Sequence, residues 1–269
     1  MRIHQGLSQL SHFEETSPYA DASLHYWCDC QKTLILSYTT QSETLVGHMN
    51  TVVITGISRG IGKALAQKFL NEGYFVIGTS VSGEVDFSHT NLKVVQLDVV
   101  DQKSIKKCAD SIEAIDILIN NAGGLFDDEI SELQNDKLRQ TLEVNLIGTS
   151  DFTERLLQKV SKDGHVLFAS SSAGSLSETD YATHSHHPNQ YPAYKISKAA
   201  LNMYMRTLAM RMVDKIKVSS YHPGWVKTDM GGEEAPMTPE EAAHYIFSTA
   251  TDKNIETGQF WFKGEKYPW

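Results

Sequence analysis

From Met49 onward the chain alternates short apolar runs with amphipathic stretches. TVVIT (51–55) is apolar and β-branched. IGKALAQKFLNEG (61–73) then sets Ile61, Leu65, Ala66, Phe69 and Leu70 at helical spacing, and Gly73 ends the helix. YFVIGT (74–79) and LKVVQLD (92–98) read as a second and third strand. SIKKCADSI (104–112) reads as a helix after Asp101, and IDILINNAG (115–123) as a fourth strand running into a turn. A long helix is predicted from about Lys137 to Lys162, followed by a fifth strand, HVLFASS (165–171). The helix carrying Tyr194 ends near Asp214, and KVSSYHPG (217–224) is a sixth strand. Thr238, Pro239 and Glu241 supply a helix N-cap, a proline in the first turn and a glutamate three residues after the cap. GQFWF (258–262) is the last short strand.

Strands that are apolar throughout, separated by helices, predict a parallel sheet covered on both faces. Right-handed crossovers make it an α/β doubly wound, mostly parallel sheet of the Rossmann type, in a single domain over 49–269. The first 48 residues show no sustained period of 3.6 or 2 and are read as an N-terminal extension, disordered or non-native. Composition narrows the function. A formal net charge of −9 argues against a nucleic-acid binder working through a basic face. No apolar run is long enough to span a bilayer. Three cysteines make no disulfide framework, so a reducing cytoplasm is the simplest compartment.

Ligands of open α/β sheets bind beyond the carboxyl ends of the strands, so those ends carry the chemistry. The first runs into TGISRGIG (55–62), with Gly56, Gly60 and Gly62 between strand and helix and Ser58, Arg59 and Ile61 in the same loop. That setting is a dinucleotide fingerprint. Gly56 permits a tight turn, Gly60 lets the backbone approach a pyrophosphate, and Gly62 lets helix and sheet pack closely. The amides at the helix start favour the anion. Farther on, Tyr194 and Lys198 stand four residues apart on one helical face. Alone, that pairing is a common accident.

Together, TGISRGIG (55–62), NNAG (120–123), Asn145, SSSAG (170–174), YKISK (194–198) and PGWVKT (223–228) resemble, in order and setting, the classical short-chain dehydrogenase/reductase family. The resemblance covers essentially all of 50–269. The segments 222–241 and 258–269 look most like the branch of C-factor proteins and small carbonyl reductases. The family implies a catalytic set of Asn145, Ser171, Tyr194 and Lys198. Tyr194 would be the general acid, and an ammonium nearby would lower the pKa of its phenol. Ser171 would polarise the substrate carbonyl; it is preferred to Ser170 and Ser172 because the family serine lies three residues before a glycine, here Gly174. Asn145 would hold a water linking Lys198 to solvent, and Lys198 would also bond the nicotinamide ribose. The resemblance makes Asn120, Ala122 and Gly123 the floor under the cofactor and Asp98 the partner of the adenine amine. Val226 and Thr228 would hold the carboxamide beyond the turn at Pro223 and Gly224.

Cofactor choice turns on the end of the second strand. Thr79, Ser80 and Val81 stand where an NAD-specific member would carry an acid, and Arg59 can offer a guanidinium to a 2′-phosphate. NADP(H) is therefore favoured over NAD(H), with a small-molecule carbonyl as substrate. A homodimer or homotetramer through the helices at 137–162 and 194–214 is implied by the family. The C-factor likeness raises an alternative, a dinucleotide-binding regulatory protein with little turnover. One departure stands out: Ser171 and Tyr194 lie 23 positions apart, wider than is usual for the family, with ETDYATHSHHPNQYP (178–192) inserted between them. His184, His186 and His187 there read as loop histidines, and no metal site is expected. Tyr181 has no lysine four residues on, whereas Tyr191 has Lys195, so it is the resemblance of YKISK (194–198) to the family motif that makes Tyr194 the acid.

Overall fold

A computed structural model describes residues 49–178 and 190–269; the readings made for 1–48 and for Tyr181 and the insertion histidines lie outside the described residues. The eight strands described are β1 (Thr51–Ile54), β2 (Phe75–Ser80), β3 (Leu92–Gln96), β4 (Ile115–Asn120), β5 (Val160–Ala169), β6 (Lys217–Tyr221), β7 (Phe260–Phe262) and β8 (Glu265–Lys266). They form one sheet in the order β3-β2-β1-β4-β5-β6-β7-β8. Every pairing is parallel except that of β7 with β8.

The strands are apolar because both faces are covered. Along β1, Val53 packs with Leu118, Phe168, Phe152 and Met205 on one side. Its neighbours Val52 and Ile54 pack with Leu65, Phe69 and Ile246 on the other. Successive side chains of a strand point to opposite faces, so a doubly buried strand has no polar stripe. The covering helices are α1 (Gly60–Asn71), α2 (Gln102–Asp110), α3 (Asn135–Leu142), α4 (Thr149–Leu156), α5 (Pro192–Arg211) and α6 (Pro239–Thr251). Helix α6 starts with the capping box read from the sequence: Glu241 N–H donates to Thr238 Oγ1 (3.2 Å) and Thr238 N–H donates to the Glu241 carboxylate (2.8 Å).

Two expectations need correction. The long helix at 137–162 is broken. Helix α3 passes into a π-helical turn (Glu143–Gly148), then α4, then a single 3-10 turn (Leu157–Lys159), and the chain is already strand at Val160. Val160 pairs with Ile115 ahead of a β-bulge, and Asp163, at φ 65°, donates its N–H to Lys215. These are long-range backbone bonds that local periodicity does not report. The chain also does not end on one strand: Lys263 and Gly264, both at positive φ, turn it back into β8. A two-residue turn with left-handed residues is a hairpin signal, and Lys-Gly is a weaker form of it than Asn-Gly.

His165 lies in the middle of this sheet, bonded to Ser219 Oγ (3.0 Å) and to the Ala250 carbonyl oxygen (3.2 Å). Burial pushes its pKa down to about 4 from the ordinary 6.5. The unfolded chain binds this proton at higher pH than the folded chain does, so acid favours unfolding. Stability from this residue falls as pH drops through 6.5 towards 4, by about 2 kcal/mol between pH 7 and 5. Denaturant titrations at the two pH values should show that loss, and His165→Gln should flatten it.

Candidate active site

The order of the sheet reverses between β1 and β4, and the crevice opens there. Thr55 ties the two strand ends together: its N–H donates to the Ile119 carbonyl (3.0 Å), and its Oγ1 accepts from the N–H groups of Asn121 (3.0 Å) and Ala122 (2.9 Å). Asn121 returns its amide to the carbonyls of Thr55 (2.9 Å) and Gly56 (3.3 Å). Above this seam lies a cleft of about 990 Å³, large enough for a cofactor and a small substrate.

The glycine loop forms one wall, with Gly56, Ser58, Arg59, Gly60, Ile61 and Gly62 all facing the cleft. Gly60, at φ +54°, approaches the loop after β6, where an added Cβ would stand 3.1 Å from Thr228 Cγ2. At Gly62 an added Cβ would lie 2.0 Å from the Gly56 carbonyl oxygen, so helix and turn meet with no room for a side chain. Helix α1 starts at Arg59 without a side-chain cap, leaving its first amides available to an anion. Asp98 lines the cleft, one carboxylate oxygen accepting from Val100 N–H (3.1 Å). Ala122, Gly123, Pro223 and Thr228 line the cleft as well.

Other expected residues stand behind the wall. Asn120 is buried under the floor, Gly224 packs on Met237 at φ +89°, and Val226 is buried in a bridge to Met237. Arg59 is not free: it is ion-paired with Asp229 of the loop after β6, and both side chains are exposed. The sequence reading placed no acid near this arginine, because Asp229 reaches it only through the fold.

At the other end of the cleft stand Tyr194 and Lys198, one turn apart on α5. The Tyr194 hydroxyl is hydrogen-bonded to Ser171. Lys198 Nζ donates to the Ala169 carbonyl (2.7 Å) and lies 5.4 Å from the centre of the Tyr194 ring. The expected lowering of the phenol pKa is overturned here. Burial pushes Tyr194 up to about 12, and the Ser171 bond opposes this only in part. Burial also pulls Lys198 down to about 8. The ammonium is turned to Ala169 rather than to the hydroxyl, and the surrounding protein disfavours the charged form of each, with Lys198 buried and Tyr194 half-buried at the cleft wall. A phenol in that state holds its proton at neutral pH and can give it up only to a strong developing base.

Asn145 sits in the π-helical turn, an irregularity frequent at functional sites. Its Oδ1 accepts from Gly124 N–H (2.8 Å), and its amide donates to the Gly124 carbonyl (2.9 Å) and to Ser197 Oγ (3.0 Å). A Cβ on Gly123 would lie 3.2 Å from Asn145 Oδ1 and 3.4 Å from Lys198 Nζ, so both groups face the same point of the floor. Ser170, weighed in the sequence as an alternative to Ser171, lines the cleft with a buried hydroxyl that has no partner among the described residues. That orphan hydroxyl, the open helix start and the side-chain-free approach at Gly60 and Gly62 fit a dinucleotide lying along the cleft.

Comparison with known proteins agrees with this geometry. The sequence profile of the family described as short chain dehydrogenase matches residues 50–239. The chain is 29% identical over 190 residues to 3-oxoacyl-(acyl-carrier-protein) reductase FabG of Salmonella typhimurium, covering 66% of this chain and 74% of that one. It is similar to the NADPH-bound carbonyl reductase from chicken fatty liver, with a TM-score of 0.73, 26% identity, and 82% of this chain and 94% of that one covered. It is likewise similar to a carbonyl reductase from Pseudomonas aeruginosa, with a TM-score of 0.70, 28% identity, and 82% and 100% of the two chains covered.

Proposed function

This chain belongs to the short chain dehydrogenase family of oxidoreductases, and from that premise we propose that it reduces the carbonyl group of a small molecule with NADPH, or runs the reverse oxidation. The observation that carries the reading is the Tyr194–Ser171 hydroxyl pair at the end of the cleft, with Lys198 beside it. A reduced nicotinamide bound in the cleft supplies the hydride. Tyr194 gives its proton to the carbonyl oxygen as the π bond breaks, a role worth about 10²–10⁴-fold. Ser171, released from the phenol, donates to the same oxygen and fixes its direction. Lys198 stabilises the phenolate left behind and passes it a proton. Asn145 keeps the floor loop in place through Gly124 and holds the water that resupplies Lys198. The experiment that tests this is a panel of aldehydes and ketones incubated with NADPH and the protein, followed at the nicotinamide absorbance. Carbonyl-dependent loss of absorbance is expected with at least one class.

The preference for NADP(H) rests on Arg59 and on a second strand that ends at Ser80 and Val81 without an acid. The NADPH-bound state of the similar chicken carbonyl reductase supports it. Because Arg59 is exposed and already paired with Asp229, a 2′-phosphate displaces one anion for another, and the gain stays at the low end for a charge-assisted bond. Arg59→Ala should weaken NADPH by about tenfold and leave NADH nearly unchanged in fluorescence titrations. Equal weakening of both would count against the assignment.

The chain also pairs with itself in this reading. Ile196, Met203 and Met210 are exposed at seven-residue intervals along α5, and Ile147 is exposed on the π-helical turn. A stripe at that spacing lies on one helical face and suits a two-fold partner. Light scattering at micromolar concentration should give a dimer or tetramer, and Met203→Glu should shift it to monomer. A reducing compartment suits Cys108, which is buried and unpaired.

A further inference from the structure

The helix that carries Tyr194 has no cap of its own. Its N-cap residue, Tyr191, is left-handed (φ 45°, ψ 56°) and makes no side-chain cap bond. Pro192 brings no N–H, so Ala193 offers the first free amide of the helix. That amide donates to Asp127 Oδ2 at 2.6 Å, across 66 positions of sequence. Asp127 is only 1% exposed, and its Oδ1 has no partner among the described residues. A second bond from the same loop, Tyr191 N–H to the Ile130 carbonyl (2.8 Å), lies one residue before the helix.

We propose that Asp127 is a positioning residue for the general acid, clamping the first turn of α5 to the loop that forms the cofactor floor. The inference rests on the reading of Tyr194 as that acid. The loop leaves β4 at Asn121, and Asn145 holds it at Gly124. It then runs through Asp127 to Ile130, where it meets the start of α5. One short segment therefore touches both the floor of the cleft and the residue next to Tyr194. Helix ends fray when their amides lack acceptors, and catalytic geometry tolerates a displacement of only about half an ångström. A carboxylate is also the favoured partner for the positive end of a helix. The clamp sits at the point where the long 178–192 segment rejoins the helix. It fixes the phenol relative to the cleft.

The test compares Asp127→Ala with Asp127→Asn in the full chain. Asparagine keeps an oxygen that can accept from Ala193; alanine keeps none. The alanine variant should lose about tenfold or more in kcat with NADPH affinity within about twofold, since a misplaced reacting group can cost 10²-fold while the cofactor walls stay intact. The asparagine variant should keep kcat within about threefold of wild type. Hydrogen exchange at the amides of Ala193, Tyr194 and Lys195 should speed up in the alanine variant only. That readout needs no turnover, so the clamp is tested even if no carbonyl is reduced and the functional reading fails. Asp127→Ser, whose hydroxyl is too short to reach, replaces the alanine variant if alanine does not fold. Unchanged kcat and exchange in the folded alanine or serine variant would overturn the proposal. So would an asparagine variant as impaired as alanine, or a parallel loss of NADPH binding and kcat.

Discussion

Tyr194→Phe is expected to lower carbonyl reduction by about 10²–10⁴-fold while NADPH still binds. Phenylalanine keeps the ring, so the packing of α5 against the cleft is preserved and only the hydroxyl is lost. The hydroxyl is the group bonded to Ser171, and burial holds its pKa up at about 12. At neutral pH it is therefore protonated, as an acid in the reductive direction must be. The neighbouring phenol, Tyr191, also has a lysine four positions on, Lys195, but it is Tyr194 and Lys198 that line the cleft. Steady-state rates and a fluorescence titration of NADPH, run on the same preparation, separate the two effects. More than about a tenth of the wild-type rate would not fit a general acid.

Gly62→Ala should be nearly as damaging, but through the cofactor. The added Cβ would lie 2.0 Å from the Gly56 carbonyl oxygen and 2.6 Å from Asn121 Nδ2. Both are part of the seam that joins β1 to β4, so neither can move without opening the turn. Overpacking of this kind costs about 1–3 kcal/mol, which corresponds to roughly five- to 150-fold in NADPH affinity if the strain falls on the loop. Gly73→Ala makes a useful contrast. Gly73 has φ +82° with open space around it, at the far end of α1. That variant should lose stability and keep its NADPH affinity. Wild-type affinity in Gly62→Ala would show that the close approach of helix and turn is not what shapes the phosphate site.

The fold was largely legible because doubly buried strands leave a strong mark: Val52 to Ile54 or Ile117 to Ile119 have no polar residue to hide. The glycine loop was legible because the close approach of helix and turn leaves no room for a side chain at Gly62, whereas the four-residue spacing of Tyr194 and Lys198 alone was not decisive, since Tyr191 and Lys195 share it. What escaped depends on contacts between distant parts of the chain. The π-helical turn follows from Asn145 reaching Gly124, and periodicity over 137–162 carries no sign of that bond. The start of β5 at Val160 depends on pairing with Ile115. Asp229 as the partner of Arg59, and Asp127 as the cap of α5, join residues 170 and 66 positions apart. The phenol pKa was misread because the four-residue spacing tells of the neighbouring ammonium and not of the burial that outweighs it.

Hydride transfer itself is open to direct measurement. The protein is incubated with NADPH carrying deuterium at the transferable C4 position and with a carbonyl compound from the panel, and the product is analysed by mass spectrometry and NMR. The account predicts an alcohol with one deuterium on the former carbonyl carbon, one NADPH consumed per alcohol formed, many turnovers per protein, and none of this with Tyr194→Phe. Tight binding of NADPH with no labelled alcohol from any class of carbonyl would contradict it, and would mark the chain as a dinucleotide-binding regulatory protein.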